Sequence, residues 1–217
     1  MNETINKAKT SIKNFGKYLR EISAIVIGVA ITLSASYLLS IRSEKKDMVL
    51  YLNAMKMELE ENIKTLEKST GYFQTSVEYA DYLKSNDKNL LHEDTIQKYA
   101  KNCYTIYTYT FKTNAFEMFK GSGIMRLVKD KELLLAIWDA YSDLIELKQG
   151  FDWHDQIKWG YMKEDFSGID FNDGAPSLKI VPMYTFYSLG MPYGIFNGCK
   201  EALQTVQEAI EKLGKVL

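Results

Sequence analysis

ISAIVIGVAITLSASYLLSI, residues 22–41, is a run of twenty consecutive uncharged residues closed by Arg20 and Glu21 on one side and by Arg42 on the other. At about 1.5 Å per residue a helix of that length covers about 30 Å, the thickness of the hydrocarbon core of a bilayer. The stretch predicts one transmembrane helix. The competing reading is a cleaved signal peptide, since Ser34-Ala35-Ser36 is loosely a small-x-small cleavage site. Against it, Tyr37, Leu38, Leu39 and Ile41 prolong the apolar run, and the charged segment ahead of it is long. Within the span Ala24, Gly28, Thr32, Ser36 and Ser40 recur every fourth residue. Small residues on one face let helix backbones approach, so this stripe predicts packing on a second copy or on a partner membrane protein.

The flanks set the expected orientation. Residues 1–21 carry Lys7, Lys9, Lys13, Lys17 and Arg20 against Glu3 and Glu21, whereas Arg42, Lys45 and Lys46 follow the span. The bias is modest and favours a cytoplasmic N-terminus. Ile5, Ala8, Ile12, Phe15 and Leu19 share one helical face, so residues 1–21 read as a basic amphipathic cytoplasmic segment, either lying on the lipid surface or a frayed tail whose lysines serve only topology. Residues 42–217 then form an extracytoplasmic domain, periplasmic if the cell has two membranes. From residue 22 onward, 22 basic residues stand against 26 acidic ones. With a net charge of −1 over 217 residues, the chain lacks the basic footprint of a nucleic-acid binder. An apolar share of 46% is enough for a real core.

Beyond the span, the three prolines, Pro176, Pro182 and Pro192, lie near the C-terminus, so long helices are permitted up to that point. Met48, Leu52, Met55, Leu59, Ile63, Leu66, Phe73, Val77, Ala80 and Leu83 step mostly by three and four, which predicts a stalk helix over 44–83, continuous or nearly so with the span. Gly71 is its expected weak point, and the polar run 85–89 its end. Leu134, Ile137, Tyr141, Leu144, Leu147 and Phe151 predict a second helix over 130–164. Leu203, Val206, Ile210, Leu213 and Leu217 predict a third from about residue 196. Residues 93–120, including CYTIYTYTF at 103–111, read as helix because a lone strand has no partner elsewhere in the chain. Residues 168–194 read as irregular. The fold class is all-α: a transmembrane helix continuing into a stalk and an antiparallel helical bundle.

Glu21-Ile22 leading into Ile27-Gly28, the charged exit into YLNAMKMELEENIKTLEK and the central FEMFKGSGIMRLVKDKELLLAIWDAY resemble a family of small single-pass membrane proteins of unknown function common in Bacteroidota. The resemblance covers roughly residues 20–150. It implies a membrane location and a helical fold, and it assigns no activity. The family tends to carry a tryptophan at the membrane exit, where this chain has Tyr37.

Catalytic signatures are missing: there is no Walker loop, GxGxxG, GxSxG or HExxH. Gly121-Ser122-Gly123 reads as a turn. His92 and His154 are the only imidazoles. Asp152, His154 and Asp155 diverge around a helix by about 100° or more and cannot converge on one metal, so they read as a surface cluster. Asp170-Phe171-Asn172-Asp173-Gly174 lacks the glutamate of a calcium loop and reads as a turn. Glu58, Glu60 and Glu61 read as a solvated helix face. Cys103 and Cys199 both fall on the expected exported side, where an oxidising compartment permits a disulfide, but free buried thiols are the preferred reading, since nothing forces their segments to meet. Gly190, Gly194, Gly198 and Ala202 recur every fourth residue and predict close packing on another helix.

Tyr104, Tyr107, Tyr109, Trp153 and Trp159 form a candidate aromatic binding surface, with core packing the plainer reading. The sequence therefore predicts a non-enzymatic, membrane-anchored helical scaffold or accessory protein with no cofactor or metal. Its expected partners are the lipid bilayer and a second copy or a partner membrane protein. A periplasmic small-ligand sensing domain that signals through a partner is the alternative, and an enzyme of unknown class the remote one.

Overall fold

The computed structural model describes residues 2–86, 90–167 and 181–217, with side-chain surroundings for Tyr18 and from Arg20 onward. The chain divides into two units, Met1–Met48 and Val49–Leu217. Six α-helices are assigned among the described residues: α1 (Asn2–Ser85), α2 (Glu93–Cys103), α3 (Asn114–Ser122), α4 (Lys131–Ser167), α5 (Tyr184–Ser188) and α6 (Met191–Val216). No strand occurs among them. The fold is an all-α bundle, as the helical periodicities predict.

The first unit is the opening part of α1. Every described side chain from Arg20 to Ser40 is exposed. Among the described residues this is the one helix long and apolar enough to cross a membrane. Ala24, Gly28, Thr32, Ser36 and Ser40 all lie on that uncovered surface, and Thr32 donates from its hydroxyl back to the Gly28 carbonyl at 2.9 Å. That i to i−4 bond satisfies the hydroxyl inside its own helix.

The second unit is built of four rods running alternately up and down. The C-terminal part of α1 is the first, and α1 passes through Gly71 without a break. The chain then returns along it: Tyr82 faces His92, Tyr79 stacks on Tyr99, Asn62 meets Lys112, and Tyr51 lies beside Phe119. The third rod, α4, runs parallel to α1, with Glu58 against Tyr141 and Phe73 against Phe151. The fourth, α6, is antiparallel to both, since Asp143 meets Thr205 and Ser69 meets Cys199. Leu52, Met55, Leu59, Leu66, Ile137, Leu144, Val206 and Leu213 fill the middle, each at most 1% exposed. The seams found by periodicity in α1 and α4 are therefore largely the core seams, whereas in α6 Val206 and Leu213 are buried, Leu203 and Ile210 are half-buried and Leu217 is exposed, the buried face passing through Ala202 and Ala209.

The second rod departs from expectation. Residues 93–120 are not one helix: α2 stops at Cys103, residues 105–113 have no regular structure, and α3 starts at Asn114. Thr105, Thr108, Thr110 and Thr113 are β-branched and interleave with rings, which lowers helix propensity. Tyr107, Tyr109 and Phe111 alternate with them, Tyr107 against Tyr72 at 4.7 Å and Tyr109 and Phe111 against Phe151 at 5.1 and 6.0 Å. The alternation in the sequence is thus a real period-two pattern, packed onto helices instead of a neighbouring strand.

A second correction concerns residues 168–194. Residues 168–180, with the Asp170–Gly174 motif, lie outside the described residues. Beyond them the chain is helical earlier than expected: α5 occupies 184–188 and α6 begins at Met191. Pro192 sits in the first turn of α6, where its missing N–H has no helical partner to lose. Gly190 just before it has φ 76°, a left-handed conformation that suits glycine. Gly123 likewise ends α3 at φ 71°, confirming the Gly121-Ser122-Gly123 turn.

Candidate functional site: a buried lysine among tyrosines

The irregular segment leaves backbone groups without helical partners, and the polar chemistry of the second unit gathers where those groups are buried. From α1, Asn62 donates through Nδ2 to the Lys112 carbonyl and accepts at Oδ1 from the Lys112 N–H, both at 2.8 Å. Glu58 accepts from the Ala115 N–H at 3.0 Å in the first turn of α3 and from the Tyr141 hydroxyl at 2.7 Å. Glu58 is 8% exposed, so it is not part of a solvated face as its neighbours Glu60 and Glu61 are. A carboxylate at a helix N-terminus is favoured by the positive end of the dipole.

At the other end of the irregular segment stands Lys158 of α4, fully buried. Its ammonium donates to the Asn102 carbonyl at 2.9 Å, to the Thr105 carbonyl at 2.7 Å and to the Tyr72 hydroxyl. An ammonium has three N–H groups, and all three are engaged. Asn102 belongs to the last turn of α2 and Thr105 lies two residues past its end, so the ammonium stands at the helix C-terminus, where a cation complements the dipole. Tyr72 accepts from Lys158 and donates to the Thr105 carbonyl at 2.8 Å. Asn102 donates to the Ser76 hydroxyl at 2.7 Å. Burial pushes the Lys158 ammonium down to about 8, with Cys103 and Asp155 acting in the opposite sense.

One turn before Lys158, His154 is 2% exposed and edge-on to Phe73 at 5.0 Å and to Phe186 at 5.3 Å. It is buried, so the expected surface cluster does not exist. Nδ1 meets Asp155 at 3.2 Å, while Nε2 has no hydrogen-bond partner among the described residues. Burial holds its pKa below the usual imidazole value, and the nearby Lys158 charge adds to that effect while Asp155 opposes it. Asp152 instead pairs with Lys148 on the exposed side, and His92 is exposed ahead of α2.

Both cysteines are free and buried. Burial pushes the Cys103 thiol up to about 12 and Cys199 up to about 11. Neither is poised as a nucleophile, because the reactive species is the thiolate.

The five aromatic residues proposed as one surface do not assemble into one. Tyr107 and Tyr109 stack with each other at 6.3 Å and gather on Tyr72, whereas Tyr104 stacks on Phe166 and donates to Asp165 at 2.9 Å. Trp153 and Trp159 are about half exposed on α4 and make no ring contact with the tyrosines among the described residues. Six residues apart, they point about 120° from each other. A groove of about 200 Å³ opens between α4 and α6 beside Leu147, Gly150, Gly194 and Gly198, and none of the five lines it.

Lys158, Tyr72 and Asn62 escape a motif search because no motif contains them. One signal was available: Phe151, His154, Lys158 and Met162 step by three and four in the register of the α4 core, which places a lysine at a core position. Chemically the arrangement ties α1, α2, the irregular segment and α4 together, with its donors engaged and no described groove beside it. No protein-family model, curated protein or solved structure matches this chain.

Proposed function

We propose that this chain is a single-pass membrane protein whose second unit is a helical scaffold or accessory domain, acting through association with another copy or with a partner membrane protein. Residues 1–21 lie on the cytoplasmic side, 22–41 cross the inner membrane, and 42–217 form the periplasmic part. The observation that carries this reading is the span itself: an uninterrupted apolar helix with every side chain from Ile22 to Ser40 uncovered and a small-residue face through Ala24, Gly28, Thr32, Ser36 and Ser40. A helix apolar all round needs hydrocarbon or another helix as its surroundings. The flanking charges support the orientation. The buried and fully engaged state of Lys158, and the raised pKa of both thiols, support a structural use of the polar core.

The test is self-association of the full-length chain in a bacterial membrane, read by a dimerisation reporter. Gly28→Leu should lower the signal several-fold, because a Cβ there has open space in the isolated chain but blocks backbone approach between helices. An unchanged signal would remove self-association through this face.

A further inference from the structure

We infer that the end of the second unit formed by the start of its α1 segment and the α3–α4 connection lies on an anionic lipid surface. This rests on the reading of residues 22–41 as a membrane span.

The end is defined by contacts. Phe119, at the close of α3, lies 6.4 Å from Tyr51, so the connection 120–130 leaves α3 beside the first residues of the unit. The C-terminus of α6 reaches the same end, where a Cβ on Gly214 would lie 3.6 Å from the Lys56 ammonium. Tethering confines this end, and not the opposite one, to the membrane. Arg42 and Val49 are joined by so short a stretch that it reaches at most about 25 Å however it runs. Leu189, by contrast, precedes Gly190, where a Cβ would lie 3.0 Å from the Lys84 ammonium at the far end of the α1 rod.

The chemistry of this end fits lipid. Val49 is 44% exposed, Leu50 66% and Met118 62%, and Ile124, Met125 and Leu127 are partly exposed in the connection. Residues 120–131 hold Lys120, Arg126, Lys129 and Lys131 against Asp130 alone. The unit as a whole is acidic, with 19 basic against 24 acidic residues. Asp130 is occupied by the Leu133 N–H at 3.0 Å, and Lys120 pairs with Glu117 at 2.8 Å. Lys129 and Lys131 are exposed and enter no ion pair among the described residues. Apolar side chains flanked by lysines suit the boundary between headgroups and acyl chains, and anionic headgroups supply the complementary charge.

The experiment uses the full-length chain in phosphatidylcholine vesicles with about a third phosphatidylglycerol. An environment-sensitive fluorophore is placed on Ile31→Cys, Met125→Cys or Leu189→Cys, with the unsubstituted chain as background because Cys103 and Cys199 are buried. Quenching is then measured with lipids spin-labelled near the headgroup for the probes at 125 and 189, and with lipids spin-labelled deep in the acyl chain for the probe at 31, which lies at the middle of the span. The probes at 31 and 125 should be quenched and the probe at 189 should not. Adding Lys129→Glu and Lys131→Glu should cut quenching at 125 roughly twofold and leave the probe at 31 unchanged. Quenching at 31 with a water-like probe at 125 would overturn the surface and leave the span standing. Equal quenching at 125 and 189 would overturn it too, as would indifference to the charge reversals. An unquenched probe at 31 would overturn the span, and this inference with it.

Discussion

The second and fourth rods of the bundle both run antiparallel to α1, and they solve the same problem in different ways. The fourth is one helix, α6, whose backbone is satisfied internally and whose contacts are small residues: Ala202 and Ala209 are buried, and Gly198 lies against Leu147. The second is a helix, an irregular segment and a helix. Between the level of Tyr72 and that of Asn62, about 15 Å along α1, it uses the residues from Thr105 to Lys112, which as a helix would cover only about 10 Å. The return is therefore stretched, and its backbone is served by Glu58, Asn62, Tyr72 and Lys158. A rod can thus be assembled from poor helix formers, provided that its neighbours bring polar side chains to the groove. In that arrangement stability depends on a few hydrogen-bonding residues instead of a long apolar seam.

The largest effect should come from removing one of those residues. Asn62 is 1% exposed and meets both backbone groups of Lys112. Asn62→Leu leaves both unpaired, at about 2–4 kcal/mol, and should lower the melting temperature of the full chain by roughly 6–12 °C. A change of only a degree or two would show that solvent serves Lys112 and that the comparison overstates the dependence.

The continuous rod should respond to volume instead. Gly198→Leu would drive atoms into Leu147, whose Cδ1 is already 3.3 Å from where a Cβ would sit, and should cost about 1–3 kcal/mol. A Cβ on Gly194 meets nothing within 4 Å, so Gly194→Ala should stabilise by up to about 1 kcal/mol through helix propensity. Of the stripe Gly190, Gly194, Gly198 and Ala202, the second half is packed and Gly194 is open. Equal losses at 194 and 198, by chemical denaturation, would contradict that division.

The smallest effect is electrostatic. Burial holds Lys158 at about 8 in the folded protein against an ordinary 10.5. In the window between these values the unfolded chain binds more protons, so stability rises with pH, by at most about 1.4 kcal/mol per pH unit. Below about 8 both states carry the proton and the dependence vanishes. Above about 9 the raised thiols of Cys103 and Cys199 act oppositely, because they ionise first in the unfolded chain. Denaturation midpoints between pH 8 and 9 should therefore climb for the unsubstituted chain relative to Lys158→Met, which keeps the Tyr72 bond to the Thr105 carbonyl and shows only the opposing effect of the thiols. Parallel curves would mean that Lys158 is not the group titrating there.

Composition and periodicity by themselves determined the long apolar helix at 22–41, the core seams of α1 and α4 and the all-α class. They could do so because each rests on a repeated pattern of apolar residues that burial or lipid must satisfy locally along the chain. The glycine turn at 121–123 was legible for the same local reason. What only the tertiary structure decided is the conformation of 105–113 and the burial of Glu58, His154 and Lys158. A Tyr/Thr alternation without a strand partner has no stable state of its own, and its backbone partners sit on α1 and α4, tens of residues away. Likewise a glutamate or a lysine on a helix looks solvated until a folded neighbour brings it an N–H or a carbonyl. The five aromatic residues met the same limit: their spacing in sequence is short, but α4 turns Trp153 and Trp159 away from each other, while the irregular segment carries Tyr107 and Tyr109 onto Tyr72.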